Sequence, residues 1–210
     1  MPSHPPLLHE NYDAIADALT GTGFVIIDGA FPAQVINGLV ELISSKEAEL
    51  KPAGIGREAG FQLNQSVRGD AIEWLEPVEP AVTEFLSAMD KLREALNQRL
   101  YLGLSVYEAH FARFAPGTFY KKHLDAFRGA PSRKLSTVLY LNPGWDQLAG
   151  GELVLYDEAG ELELVRLAPE CGRLVVFLSE DFPHEVLPAS QPRKSIAGWF
   201  RIKPLSDFIK

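Results

Sequence analysis

After Gly103 the chain loses helical periodicity and becomes a succession of short apolar or alternating segments. They run Val106–Phe114, Phe119–Asp125, Leu135–Leu141, Glu152–Tyr156, Glu161–Leu167, Arg173–Leu178, His184–Leu187 and Ile196–Ile202. Turn signals separate them: Pro116-Gly117, Asn142-Pro143-Gly144, Gly150-Gly151, Ala159-Gly160, Cys171-Gly172 and Pro188. Segments this short cannot bury much alone. About eight strands at such spacing are stable as a closed barrel or as two stacked sheets in a jelly roll.

The first half reads differently. Residues 11–20 form a short helix that Asn11 can cap and Gly21 can end. Phe24-Val-Ile-Ile within Gly23–Asp28 is a β-branched run, a buried strand. Pro32 opens a second helix, with Val35, Leu39, Leu42 and Ile43 on one face. Residues 52–70 are glycine-rich and loop-like, and a mobile finger is expected over about 55–75. A third helix covers about Pro80–Leu100, with Val82, Phe85, Leu86, Met89, Leu92 and Leu96 as its apolar stripe. Helices first and strands after predict an α+β, mainly β fold: a double-stranded β-helix (jelly-roll) core braced by N-terminal helices. A single domain over 1–210 is expected, with 1–103 as support and 104–203 as the β-core.

Composition excludes several classes. The net charge of −8 disfavours a phosphate backbone as partner, so no nucleic acid is expected. Cys171 is the only cysteine, which rules out an internal disulfide and suits a reducing, cytoplasmic setting. The N-terminal Met-Pro-Ser-His-Pro-Pro-Leu-Leu has no basic region before an apolar run, so no signal peptide is expected. The longest apolar run, Leu174–Leu178, is too short to span a bilayer, and no membrane association is expected. There is no Gly-x-Ser-x-Gly elbow and no phosphate-cradling glycine loop; Gly54-x-Gly56 lacks the flanking strand and helix.

What remains is a metal pattern. His123 and Asp125 stand two apart in a strand, so they point to one face. His184 follows 59 residues after Asp125, a separation that a jelly roll can bring together. Two histidines and one carboxylate leave three coordination positions free, as non-haem Fe(II) oxygenases require. A structural zinc site would want cysteines or a third histidine, for which His110, His4 and His9 are the remaining candidates. Arg193 stands nine residues after His184, and its rigid fork of donors suits the far carboxylate of 2-oxoglutarate. Tyr140 can add a hydroxyl to that carboxylate. On pattern alone, Arg193 also reads as a surface charge beside Lys194 and Tyr140 as a core residue. His110 reads as a core or pocket-lining histidine.

Several stretches together resemble a known family. They are Val67-Arg-Gly-Asp70 with Trp74, Phe119-Tyr-Lys-Lys-His-Leu-Asp125 and Val138-Leu-Tyr-Leu-Asn-Pro-Gly-Trp145. Others are Gly150-Gly151-x-Leu153, Pro183-His-Glu-Val186, Arg193 and Gly198-Trp-Phe200. The chain resembles the prolyl hydroxylases among the 2-oxoglutarate- and Fe(II)-dependent dioxygenases. More narrowly it is similar to the bacterial relatives of the animal hypoxia-inducible-factor prolyl hydroxylases, over roughly residues 60–203.

The resemblance implies an enzyme that hydroxylates a prolyl residue of a protein, releasing succinate and CO2. Its cofactors would be Fe(II), 2-oxoglutarate, O2 and ascorbate. His123, Asp125 and His184 would bind iron; Arg193 and Tyr140 would bind 2-oxoglutarate. Arg68, Asp70, Arg133 and Trp199 would serve the substrate, with Asp70 paired to Arg133 and Trp199 walling the pocket by the target proline. The bacterial branch points to elongation factor Tu as protein partner. Phe114 stands where family members often carry a tyrosine, which would remove a hydroxyl near the co-substrate. A 2-oxoglutarate oxygenase of small molecules and a non-catalytic metal-binding jelly roll are the alternatives.

Overall fold

The structure, a computed structural model, describes residues 8, 11–54, 64, 66–126 and 132–203. His4, His9 and most of the expected finger (55–63 and 65) lie outside the described residues. In chain order the elements are α1 (Tyr12–Gly21), β1 (Phe24–Ile27), α2 (Ala33–Ser45), β2 (Lys51–Pro52), β3 (Asp70–Trp74) and α3 (Pro80–Leu100). Then come β4 (Val106–Phe114), β5 (Tyr120–His123), β6 (Arg133–Tyr140), β7 (Leu153–Tyr156), β8 (Glu163–Leu167), β9 (Leu174–Leu178), β10 (His184–Val186) and β11 (Arg193–Arg201).

The strands form two antiparallel sheets. The major sheet has the order β1-β9-β6-β11-β4-β3-β2 and the minor sheet β5-β10-β7-β8. Neighbours in space are distant in sequence, as in β11 between β4 and β6, which is the crossover pattern of a double-stranded β-helix. The two sheets approach at one margin, where Arg68 bridges to Tyr120 and the Lys121 amide donates to the Val67 carbonyl (2.9 Å).

Period-two alternation gives the major sheet two faces. On β11, Ile196 and Phe200 face one way, and Arg193, Ser195, Ala197 and Trp199 the other. The first face joins Leu135, Leu139, Leu174 and Val176 in the larger apolar cluster. The three helices close that cluster with their apolar stripes: Ile15 and Leu19 of α1, Val35 and Leu39 of α2, and Phe85, Met89, Leu92 and Leu96 of α3. A smaller cluster, with Tyr140, Leu153, Leu155, Val175 and Phe177, fills the space between the sheets.

Several expectations need correction. Asn11 makes no side-chain cap bond; α1 does end at Gly21, with Thr22 as its C-cap, but the left-handed position falls on Gly23 (φ +83°). Gly23 is also where a Cβ would meet Phe182 at 2.7 Å. On α2, Ile36 is buried together with Val35, Leu39 and Ile43, whereas Leu42 is half-buried. The expected finger does not extend to residue 75: Asp70–Trp74 is β3, hydrogen-bonded to β4 from Asp70↔Phe114 to Trp74↔His110. The Gly69 amide, donating to the Phe119 carbonyl (2.9 Å), ties the preceding turn to the barrel rim. The last strand starts at Arg193, three residues before the apolar run that announced it.

Candidate metal and co-substrate site

β5 and β10 pair antiparallel with His123 opposite His184, so both imidazoles leave the minor sheet on its inner side. Their ring centres are 4.3 Å apart. Asp125, two residues past His123, turns its carboxylate toward both: Oδ1 is 3.7 Å from His123 Nε2, and Oδ2 is 3.6 Å from His184 Nε2. The three side chains offer donor atoms within 4.8 Å of one another, close enough for one metal ion.

The hydrogen bonds decide which nitrogens are available. His123 Nδ1 is 2.7 Å from the Lys121 carbonyl and His184 Nδ1 is 3.0 Å from the Phe182 carbonyl. A carbonyl only accepts, so each Nδ1 carries the proton and each Nε2 keeps its lone pair for a metal. Burial, with His184 alongside, pushes the His123 pKa down to about 3, so this ring is neutral near pH 7. Burial alone would raise the Asp125 pKa, but the two imidazoles and a hydrogen bond from Ser136 reverse this and hold it below the carboxylate range. The Trp199 indole N–H acts in the same sense, although it makes no well-formed hydrogen bond. A charged carboxylate beside a neutral histidine is a good ligand set for a divalent cation.

His123 is held on its other face by Tyr120, stacked at 3.6 Å and 16°. The Arg68 guanidinium in turn lies 4.9 Å above the Tyr120 ring. Phe177 packs edge-on against His184 at 4.9 Å.

Deeper in the same cavity, Arg193 is only 2% exposed. Its Nε donates to the Gly151 carbonyl (2.8 Å) and its Nη1 to Ser195 Oγ (3.3 Å). Gly151 must be glycine on two counts: φ is +76°, and a Cβ would meet Ala189 at 2.9 Å and Trp145 at 3.1 Å. Among the described residues no carboxylate pairs with Arg193. Burial lowers its pKa, yet guanidinium stays charged. The Tyr140 hydroxyl, buried beside it, makes no well-formed hydrogen bond; burial raises its pKa and the neighbouring Arg193 opposes that rise. A buried cation next to an orphaned hydroxyl costs several kcal/mol unless an anion completes it. A carboxylate reaching this end of the cavity from the metal would satisfy both, so the residues fit 2-oxoglutarate.

The remaining predicted residues fall around the same space, but not as expected. Asp70 does not pair with Arg133. Its carboxylate is held by Arg68, with Nε–Oδ1 at 2.6 Å and Nη2–Oδ2 at 2.9 Å. Arg133 instead pairs with Glu108 (3.2 Å) and stacks on Trp199 at 3.6 Å. The local reason is register: Arg68 and Asp70 stand two apart on one face of the extended rim, so the nearer guanidinium wins. Trp199 lines the cavity and is 6% exposed. Phe114 lies against Arg193, its ring centre 5.2 Å from the guanidinium, so the position beside the candidate co-substrate pocket carries no hydroxyl here.

The cavity is small, about 90 Å³. Larger grooves of about 850 and 750 Å³ lie along the helices and, among the described residues, bring no metal-binding set together. Sequence reasoning missed Tyr120 and Ser136. The parity of β6, which sets Ser136 on the face of Tyr140, was the available signal for the serine.

Two imidazoles and one carboxylate inside a double-stranded β-helix, with a buried guanidinium facing them, are the parts of a non-haem iron oxygenase. The family described as the 2OG-Fe(II) oxygenase superfamily matches residues 109–201. A Pseudomonas putida prolyl-4-hydroxylase is 41% identical, with a TM-score of 0.83, over 92% of this chain and 100% of that one. A Trichoplax adhaerens prolyl hydroxylase, solved with a hypoxia-inducible-factor peptide fragment, is 25% identical with a TM-score of 0.84, over 97% and 94%. Human Egl nine homolog 1 is 33% identical over 145 residues, 65% of this chain and 34% of that protein. The chain therefore spans about a third of the length of this curated relative. It belongs to the 2OG-Fe(II) oxygenase superfamily, in the branch of bacterial proteins related to the hypoxia-inducible-factor prolyl hydroxylases. No helix among the described residues is long and apolar enough to cross a membrane.

Proposed function

We propose that this chain is an Fe(II)- and 2-oxoglutarate-dependent dioxygenase that hydroxylates a prolyl residue of a protein. The observation that carries the reading is the shared cavity: His123, Asp125 and His184 at one end, and at the other the buried Arg193, with no carboxylate partner among the described residues, beside the Tyr140 hydroxyl. His123 and His184 would ligate iron through Nε2 and Asp125 through one carboxylate oxygen. Arg193 and Tyr140 would bind the far carboxylate of 2-oxoglutarate. When bound, iron and 2-oxoglutarate supply the oxidation, in which one O2 gives the hydroxylated substrate, succinate and CO2.

The protein's part is to position and exclude. Carbonyl-bonded Nδ1 atoms keep both imidazoles aimed inward. Val175, Phe177 and Leu155 exclude water from beneath the metal end. Trp199, with Arg133 stacked on it, supplies an apolar wall against which a pyrrolidine ring can pack. The Arg68–Asp70 pair and Arg133 would meet the flanking peptide.

A protein substrate accords with the Trichoplax relative, which was solved with a peptide fragment. Elongation factor Tu is the partner that the resemblance to the bacterial branch supplies, and ascorbate the reductant expected to sustain turnover. The test is mass spectrometry of purified elongation factor Tu incubated with the protein, Fe(II), ascorbate and 2-oxoglutarate, with succinate followed in parallel. A one-oxygen gain on one proline, absent with Asp125→Ala, is expected. Succinate without that gain would remove this partner and keep the oxygenase; neither signal, with both ligands bound, would overturn the enzymatic reading.

A further inference from the structure

The two Asp125 oxygens are almost equally placed: Oδ1 lies 3.7 Å from one imidazole nitrogen and Oδ2 3.6 Å from the other. Distance alone therefore does not select the oxygen that would meet a metal, nor stop both from doing so. Hydrogen bonding breaks the tie. Ser136 Oγ donates to Oδ2 at 2.7 Å. Ser136 Oγ is also 2.9 Å from Ser179 Oγ. A hydroxyl has one proton, so the direction is forced. With the Ser136 proton committed to the carboxylate, Ser179 must donate to Ser136.

Both serines are buried, at 2% and 0% exposure. Ser179 is pinned in turn, its amide donating to the Lys134 carbonyl at 3.0 Å. The chain of donors thus runs from the backbone of the major sheet to one oxygen of the carboxylate. Ser136 lies in β6 and Ser179 directly follows β9, so the major sheet fixes a residue that follows a minor-sheet strand.

We propose that Ser136 and Ser179 are positioning residues that hold Asp125 as a one-oxygen ligand, with Oδ1 left for the metal. The inference rests on the metal-site reading above. Its consequence is a coordination count. Three protein atoms would leave room on the metal for a two-point keto acid and for oxygen, whereas a carboxylate binding through both oxygens would take up part of that room. Oriented ligands also bind metal more tightly, since their partners are worth about 10–100-fold in affinity.

The test uses cobalt(II) as the probe, titrated anaerobically into the full chain. Visible absorption reports both affinity and coordination number, and melting of the metal-free protein serves as the folding control. Asp125→Ala defines loss of the site. Ser136→Ala is expected to bind cobalt about 10–100-fold more weakly, with an altered visible spectrum. Ser179→Ala, which keeps the direct donor but frees its rotation, should fall between. Ser136→Thr, which keeps the hydroxyl, should return within about threefold of the natural protein. If Ser136→Ala and Ser179→Ala both match the natural protein in affinity and spectrum, the relay is wrong while the metal site stands. If the natural protein itself does not bind cobalt, or binds it equally with Asp125→Ala, the metal-site reading fails and the relay with it.

Discussion

The two faces of the major sheet are made from the same strands and do opposite work. Toward the helices, β4, β6, β9 and β11 present Phe111, Leu135, Leu139, Val176, Ile196 and Phe200, all at most 2% exposed and all apolar. Toward the minor sheet, β4, β6 and β11 and the nearby rim present Asp70, His110, Ser136, Arg193 and Ser195, also nearly inaccessible but polar or charged. On the helix face burial is its own reward, through apolar area removed from water. On the inner face burial costs free energy, and the cost is left partly unmet at the Tyr140 hydroxyl and at Arg193, a buried charge that no carboxylate among the described residues pairs. Alternation lets one strand, β11, carry both roles at adjacent residues. The lesson is that stability and ligand binding should separate cleanly by the parity of the residue changed.

The largest effect should come from Asp125→Ala, in the cavity that the inner face lines. Succinate formation should drop at least about 1,000-fold, roughly 4 kcal/mol, while the metal-free protein remains folded. Phe200→Ala, one residue beyond Trp199 but on the helix face, should do the reverse. It should cost about 3–5 kcal/mol in denaturant unfolding, with 2-oxoglutarate affinity of the folded fraction unchanged. A large loss of affinity there would break the separation of faces.

A pH series sharpens the comparison. Burial, assisted by Arg68, pushes the His110 pKa down to about 4 from the ordinary 6.5. Between these values the unfolded chain binds a proton that the folded one refuses, so stability falls as pH drops from about 6.5 to about 4. His110→Gln should therefore lose roughly 2 kcal/mol less than the natural protein between pH 7 and pH 5. Equal losses in both would show that His110 is not held neutral. The smallest effect expected is from Tyr140→Phe. Affinity for 2-oxoglutarate should weaken about 10-fold, with no loss of metal-free stability, because the hydroxyl makes no well-formed hydrogen bond to lose.

Much of this was legible from local pattern. The third helix falls on Pro80–Leu100 as read, because Pro80 sets its start and an unbroken apolar stripe runs its length. His123, Asp125 and His184 converge because their two-residue spacing and flanking strands are local facts that a jelly roll brings together. What escaped the sequence was tertiary. β3 could not be read beside a glycine-rich loop, since Asp-Ala-Ile-Glu-Trp does not alternate cleanly and its pairing with β4 is non-local. The partner of Asp70 was misassigned because competition between Arg68 and Arg133 is settled by rim geometry. Ser136 looked like any strand serine; its importance depends on Asp125 lying against a different sheet.

The central claim is that one cavity holds a metal at one end and a dicarboxylate at the other. It is tested most directly by calorimetric titration of 2-oxoglutarate into anaerobic, Fe(II)-loaded protein, beside the metal-free form and Arg193→Leu. Tight binding that needs the metal and weakens at least about 30-fold in Arg193→Leu is predicted, the loss being that of a partner for a buried charge. Binding that ignores both the metal and Arg193, or no binding in any form, would contradict it.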